Sequence, residues 1–293
     1  MKGWSYLDNA RSRASILEWN DASRIVIMSD CHRGDQGWAD SFARNQNVFF
    51  AALQHYLQRD YLYIEAGDGD ELWENRSYDR IREAHSNVFW LLSQFANRQR
   101  LFRLYGNHDL EKRRMGWGAR RKDPLGESLE GLLLKHRDRD CCILVVHGHQ
   151  VDFFNRALWR LARLLVRYLW QPLETLGVND PTSTAGNSHR REVMEERLRG
   201  WSASRNQILV AGHNHRPAFA LPGEPPYFND GSCVHPRCIT ALELEAGCIS
   251  LVKWSVQVRD DGTLYIGKTL LEGPRALSDY ALNSHLDSNR IGK

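Results

Sequence analysis

Short apolar runs alternate with longer stretches of helical spacing through the first half of this chain, and nearly every run stops at a polar cluster. Residues 24–29 (Arg-Ile-Val-Ile-Met-Ser) form a β-branched run that predicts a buried strand ending at Asp30. Residues 39–59 place Phe42, Val48, Phe49, Leu53 and Leu57 at near-helical steps. Tyr61 to Ala66 predicts the next strand, and residues 78–98 the next helix, with Ile81, Val88, Leu91, Leu92 and Phe95 as its apolar set. Leu101 to Tyr105 reads as a third strand, Cys141 to Val146 as a fourth and Gln207 to Ala211 as a fifth. Between them, residues 111–126 are charged and glycine-rich and read as a loop, and Glu127 to Lys135 reads as a short helix. Strands and helices in alternation argue for a layered α/β fold. Beyond Ala211 the pattern turns to antiparallel β near 227–233, 239–245, 248–258 and 263–269, joined by Ala246-Gly247 and Asp261-Gly262 turns. The tail from about 275 is polar and reads as loosely held.

The polar clusters that end these runs share one chemistry. They are Asp30-Cys31-His32, Gly67-Asp68, Gly106-Asn107-His108-Asp109, His147-Gly148-His149 and Gly212-His213-Asn214-His215. Strands that end in ligand-bearing loops let an α/β fold deliver side chains from distant sequence to one point. Phosphate esters resist attack because their anionic oxygens repel a nucleophile. Two divalent cations roughly 3.5–4 Å apart neutralise the phosphate, hold it in line and lower the pKa of a bridging water. Such a pair needs about seven ligands, one carboxylate being shared. The set here is hard oxygen plus imidazole, which suits Mn, Fe or Zn, with Mn favoured. Asp30, His32 and His215 are assigned to the first metal, Asn107, His147 and His213 to the second, and Asp68 to the bridge. His108 sits too close to Asn107 for both to ligate comfortably. With Asp109 to orient its imidazole, it is the candidate leaving-group acid or transition-state stabiliser. Asp70, Glu71 and Glu74 crowd behind Asp68, which is preferred because it follows the strand and Gly67 directly. His149 and Asp152 read either as groups orienting His147 or as ordinary loop residues. Arg33 either meets substrate phosphate or is solvated.

Composition narrows the class rather than the reaction. The chain has 293 residues, 42% hydrophobic and 26% charged, and a net charge of +3, ordinary for a globular protein and not basic enough for a dedicated nucleic-acid binder. We read it as one domain over 1–293. Its six cysteines contain no CxxC pair. Cys233 and Cys238 flank His235, but the second paired cluster of a zinc knuckle is missing. Residues 1–20 lack the apolar core of a signal peptide, and no run reaches the roughly 18 apolar residues of a spanning helix. The expectation is a reduced, cytoplasmic protein.

The order D-x-H, GD, GNHD, GH, GHxH resembles the calcineurin-like metallophosphoesterase family, over Asp30 to about Trp254. That resemblance implies a four-layer α/β/β/α sandwich, a dinuclear centre and hydrolysis of phosphomonoesters or phosphodiesters, and it supports the ligand set position by position. Within the family, a helical insertion before the last histidine cluster, the Asn229-Asp230-Gly231-Ser232 string with Val234-His235-Pro236, and Leu251-Val252-Lys253-Trp254 resemble UDP-2,3-diacylglucosamine hydrolases, which cleave a pyrophosphate. The chain departs from them at His108, where they typically carry Arg, and at Asp30-Cys31-His32-Arg33, where they tend to have D-L-H-L.

The insertion, residues 152–206, reads as helix, Pro/Ser/Thr loop and helix, a candidate lid. Arg156, Arg160, Arg163 and Arg167 form one stripe on its first helix, opposite Phe154, Leu158, Leu161, Leu165 and Leu169, with Trp159 and Trp170 alongside. Three readings stand: a packed amphipathic helix with a solvated arginine face, a lid gripping an anionic or lipid-linked substrate through Arg156, Arg160 and Arg163, or a docking surface over 153–170 for the inner membrane face or a second subunit. The functional expectation is a two-metal phosphoesterase acting on a phosphodiester, pyrophosphate or phosphomonoester, nucleotide- or lipid-linked. A protein phosphatase or nuclease is the enzymatic alternative, and a non-catalytic metal-binding scaffold the alternative of another class.

Overall fold

The computed structural model describes residues 4–37, 40–75, 77–112, 123–151 and 188–280. Two mixed sheets face each other. One has seven strands: β2 (Ile25–Met28), β3 (Leu62–Glu65), β4 (Leu101–Leu104) and β5 (Ser128–Leu129) run parallel, and β10 (Cys238–Glu245), β11 (Cys248–Val258) and β12 (Leu264–Ala276) extend the sheet antiparallel beyond β2. The other has five, in the order β1 (Ser15–Trp19), β6 (Leu132–His136), β7 (Cys142–Val145), β8 (Ile208–Ala211), β9 (Tyr227–Asn229).

Alternation along each strand builds the layers. In β2, Ile25 and Ile27 face the core between the sheets, whereas Val26 and Met28 face an outer core. That outer core is closed by α2 (Gln46–Gln58), α3 (Tyr78–Ala84) and α4 (Ser86–Asn97), through Phe49, Leu53, Tyr56, Leu92 and Phe95. In β8, Ile208 and Val210 likewise face the other sheet, and Leu209 and Ala211 face a third core under α1 (Trp4–Arg13) and α5 (Ser188–Arg205). The result is the α/β/β/α sandwich.

Several local expectations need correcting. Glu127 to Lys135 is not a helix but β5 and the start of β6: Leu132 and Leu134 enter the inter-sheet core and Leu133 packs outward, a period of two. Residues 78–98 form two helices, broken at His85, which is buried and held by Asp40 (2.8 Å) and Gln46 (3.1 Å). The strand near 227–233 stops at Asn229 and joins the smaller sheet in parallel with β8. Residues 275–280 are packed rather than loose: Leu277 and Tyr280 are buried, and the Tyr280 hydroxyl donates to the Ala220 carbonyl at 2.6 Å. The second helix of the insertion is present as α5. The expected first helix, with Arg156, Arg160, Arg163 and Arg167, lies outside the described residues, as do Asp152 and residues 113–122.

A candidate dinuclear metal centre

The five clusters follow β2, β3, β4, β7 and β8. Their loops bond to one another: Asp30 N donates to the Gly67 carbonyl, His32 N to Asp68, and Gly212 N to His147. Asp30, His32, Asp68, His213 and His215 all have positive φ, between 47° and 71°. Non-glycine residues rarely adopt that conformation, and it gathers where backbone strain serves a site. Glycine makes the approach of the loops possible. A Cβ on Gly106 would lie 2.0 Å from Asp68 Oδ1, and one on Gly67 would lie 2.5 Å from His147 Nδ1, across the two sheets.

The side chains converge in three overlapping groups. Asp30, His32 and His215 each offer a ligand atom within 4.8 Å of the others, as do Asp68, His147 and His213, and, at the rim, His32, Glu71 and His108. Asp30 Oδ2 accepts from the Ser29 hydroxyl and from His213 N, so Oδ1 is left toward the site, 3.1 Å from His215 Nε2 and 3.7 Å from His32 Nε2. His147 donates Nδ1–H to the Ala66 carbonyl at 2.9 Å, which leaves its Nε2 facing Asp68 Oδ2 at 3.1 Å. The same Oδ2 is 3.9 Å from His32 Nε2 in the first group, so one carboxylate oxygen stands between the first two groups. Asp68 Oδ1 accepts from His108 N at 2.8 Å.

These residues fit cations better than they fit each other. Asn107 is buried, and neither its amide oxygen nor its amide nitrogen has a hydrogen-bond partner. Asp30 Oδ1 is likewise buried without a hydrogen bond. A buried polar group left unbonded costs roughly 1–3 kcal/mol on protein scales, and a bound cation removes that cost for oxygen and imidazole ligands. Protons stand in for metal here. Burial pushes His147 down, but the charges of Asp68 and Asp30 outweigh it and lift the imidazole to about 9.

Glu71 organises the rim. Its carboxylate takes His32 Nδ1 at 2.8 Å through Oε2, and His108 Nδ1 at 2.7 Å through Oε2 and 2.8 Å through Oε1. Burial pushes Glu71 up, but the imidazoles of His108 and His32 hold it down at about 2. An ionised carboxylate only accepts, so both Nδ1 atoms carry the shared protons, and His32 Nε2 is turned to the site, 3.7 Å from Asp30 and 3.9 Å from Asp68. Trp73 stacks on the His108 ring, centroids 4.2 Å apart. The expected pairing of His108 with Asp109 is corrected. Asp109 accepts from Gly106 N (2.7 Å) and Lys112 (2.9 Å), supporting the loop from beneath. Glu71 carried a signal in the sequence, three residues after Asp68 in an acidic crowd. Trp73 carried none.

Arg33 is also corrected: it is neither solvated nor placed to meet a substrate. It is fully buried, with Nη1 2.6 Å from Glu65 and Nε 2.7 Å from Asp70. Lys112, also buried, lies 2.6 Å from Asp70. The 212–215 loop rests on Asn229, whose amide nitrogen donates to the Gly212 carbonyl and to Asn214 Oδ1, each at 2.9 Å. Asp230, behind Ser29, is buried, and burial together with the nearby Asp30 charge pushes its carboxyl well up. His149 lies beside His147, ring centroids 5.5 Å apart. Among the described residues, Cys233, Cys238 and His235 form no metal-ligating group.

Residues 23–217 match the family model described as calcineurin-like phosphoesterase. Comparison with curated proteins finds no match. Among solved structures the chain is similar to Vps29 of Chaetomium thermophilum, at 12% identity and a TM-score of 0.42, with 85% of this chain and 97% of that one covered. It is also similar to Chaetomium thermophilum Vps29 complexed with the RaPID-derived cyclic peptide RT-D3, at 11% identity and a TM-score of 0.35, covering 85% and 96%. Neither likeness bears on activity.

Proposed function

Because the chain belongs to the calcineurin-like phosphoesterase family, we propose that it is a dinuclear, metal-dependent phosphoesterase. The observation that carries this reading is Asp68 Oδ2, 3.1 Å from a histidine of one ligand group and 3.9 Å from a histidine of the other. Asp30, His32 and His215 would hold one cation, Asn107, His147 and His213 the other, and Asp68 would be shared. Bound there, two divalent cations would neutralise the phosphate and activate water at neutral pH. The chain's own residues do the rest. Ala66 and Glu71 fix the tautomers of His147 and His32, so that a nitrogen lone pair of each faces the site. His108, clamped at Nδ1 by Glu71 and stacked on Trp73, keeps Nε2 for passing a proton to the departing oxygen. Asp109 acts through the loop, by holding Gly106 N.

The favoured substrates are phosphodiesters or pyrophosphates on a nucleotide- or lipid-linked molecule, a UDP-diacylglucosamine-like pyrophosphate among them, with Mn as the favoured metal. The arginine stripe that motivates a lipid-linked substrate or a membrane contact lies outside the described residues. No helix among the described residues is long and apolar enough to cross a membrane. Hydrolysis of bis(p-nitrophenyl) phosphate with and without added Mn2+ tests the reading. Metal-dependent turnover supports it, and no turnover with bound metal refutes it.

A further inference from the structure

Residues 4–19 precede the stretch that matches the family, yet α1 is fastened firmly into the fold. Leu7 and Ala10 are buried in the third core. Asp8 accepts from Trp201 Nε1 at 3.0 Å and from Arg205, and Trp4 Nε1 donates to the Arg197 carbonyl at 3.1 Å. That anchoring sets another face of the helix, Tyr6, Asn9 and Arg13 at steps of three and four, against a cavity of about 180 Å³. Tyr105, His149 and Gln150 line it as well. Those three residues belong to the metal-centre loops: Tyr105 leads into Gly106-Asn107-His108, and His149 lies against His147. The cavity therefore adjoins the centre, and α1 adds a wall to it.

Its size and chemistry restrict what fits. Pockets that enclose a whole drug-sized ligand run to roughly 300–1,000 Å³, so this one suits a single ring of a larger substrate. Arg13 faces Glu130 at 3.7 Å, which cancels charge at the wall and disfavours a second phosphate. Among the described residues that line it only Ala10 and Leu110 are aliphatic, little for an acyl chain to pack against. What remains is phenol, amide and imidazole, groups that bond the polar edge of an uncharged ring. We infer that this cavity receives the group esterified to the phosphate, and that this group is an uncharged ring with hydrogen-bonding edges, a nucleobase or a sugar. The inference rests on the phosphoesterase reading and adds to it a substrate class and a role for α1.

Tyr6 and Asn9 are exposed, so the double variant Tyr6→Ala/Asn9→Ala should fold. With Mn2+-loaded protein, kcat and KM are measured on three p-nitrophenyl phosphodiesters, carrying methyl, thymidine or glucose as the second group. The expected result is that one ring-bearing ester exceeds the methyl ester in kcat/KM by about tenfold, a difference of about 1.4 kcal/mol. The double variant should lose that preference through KM and leave the methyl ester unchanged. Whether thymidine or glucose is preferred decides between base and sugar. Saturation-transfer NMR with thymidine and methyl glucoside on metal-free protein reads the cavity without turnover: one should bind the parent protein and not the variant. Equal rates on all three esters, untouched by the double variant, would overturn the assignment and leave the phosphoesterase reading standing. Turnover of none would overturn that reading instead, and NMR signal from neither compound, or equal signal from both proteins, would still overturn the cavity assignment.

Discussion

Replacing Glu71 with glutamine tests the site in two ways at once. The carboxylate accepts Nδ1–H from both His32 and His108, at 2.8 Å each. An amide has one acceptor oxygen where the carboxylate has two, and Oε1 also accepts from Trp73 N at 3.1 Å, so the NH2 arm must oppose one of these donors, and the charge that holds both imidazoles is lost. A hydrogen bond to a charged group is worth roughly 1.5–3 kcal/mol, and every 1.4 kcal/mol is about tenfold. Loss on the His32 side removes an outer support of a metal ligand, which typically costs about 10–100-fold in affinity or activity. Loss on the His108 side releases the ring from its tautomer. Glu71→Gln should therefore weaken Mn2+ binding about 10–100-fold by titration and, at saturating Mn2+, lower kcat on bis(p-nitrophenyl) phosphate by about tenfold or more. In a Glu71→Gln/His108→Ala cycle the kcat losses should fall short of additive, because the two residues act as a pair. Unchanged metal affinity together with additive kcat losses would refute the clamp.

Other perturbations separate the parts. His108→Ala should lower kcat while metal content, read by mass spectrometry, stays intact; loss of metal would make His108 a ligand. Gly106→Ala should abolish metal binding, since its Cβ would stand 2.3 Å from the Asp68 backbone nitrogen as well as against its carboxylate. Arg33→Met leaves Glu65 buried without its cation, while Asp70 keeps Lys112, and breaking a buried pair in this way costs about 3–5 kcal/mol, read as a lower Tm. His147 rises to about 9 from an ordinary 6.5 in metal-free protein, so its contribution to stability is present below about pH 6.5 and fades as pH rises through about 9. Metal must displace that proton, so Mn2+ affinity should increase between about pH 7 and pH 9, with proton release seen in calorimetry across buffers of different ionisation enthalpy.

Much of the architecture was legible because burial is strong and local here. The runs before Asp30, Gly67, Gly106, His147 and Gly212 sit between two packed layers, so continuous apolar character marks them as strands. Gly67 and Gly106 mark the places where loops must touch. Four things were not legible. Leu132–Leu133–Leu134 is dense enough to suit a helix, and only its two-sided burial makes it a strand. Asp109 is next to His108 in sequence, but its side chain turns under the loop toward Lys112, and the partner comes from β3's loop as Glu71. Arg33 looked like a solvated cation because its counter-charges, Glu65 and Asp70, are more than 30 residues away. The N-terminal helix is weakly marked because Leu7 and Ala10 are its only buried residues, with Trp4 partly buried beside them.

If two cations held by these seven ligands perform phosphoester hydrolysis, phosphodiester turnover must follow Mn2+ as it is titrated into metal-free protein. No turnover is expected without metal, and saturation is expected at two equivalents per chain. Saturation at a single equivalent, or no turnover at full occupancy, would contradict the two-cation mechanism.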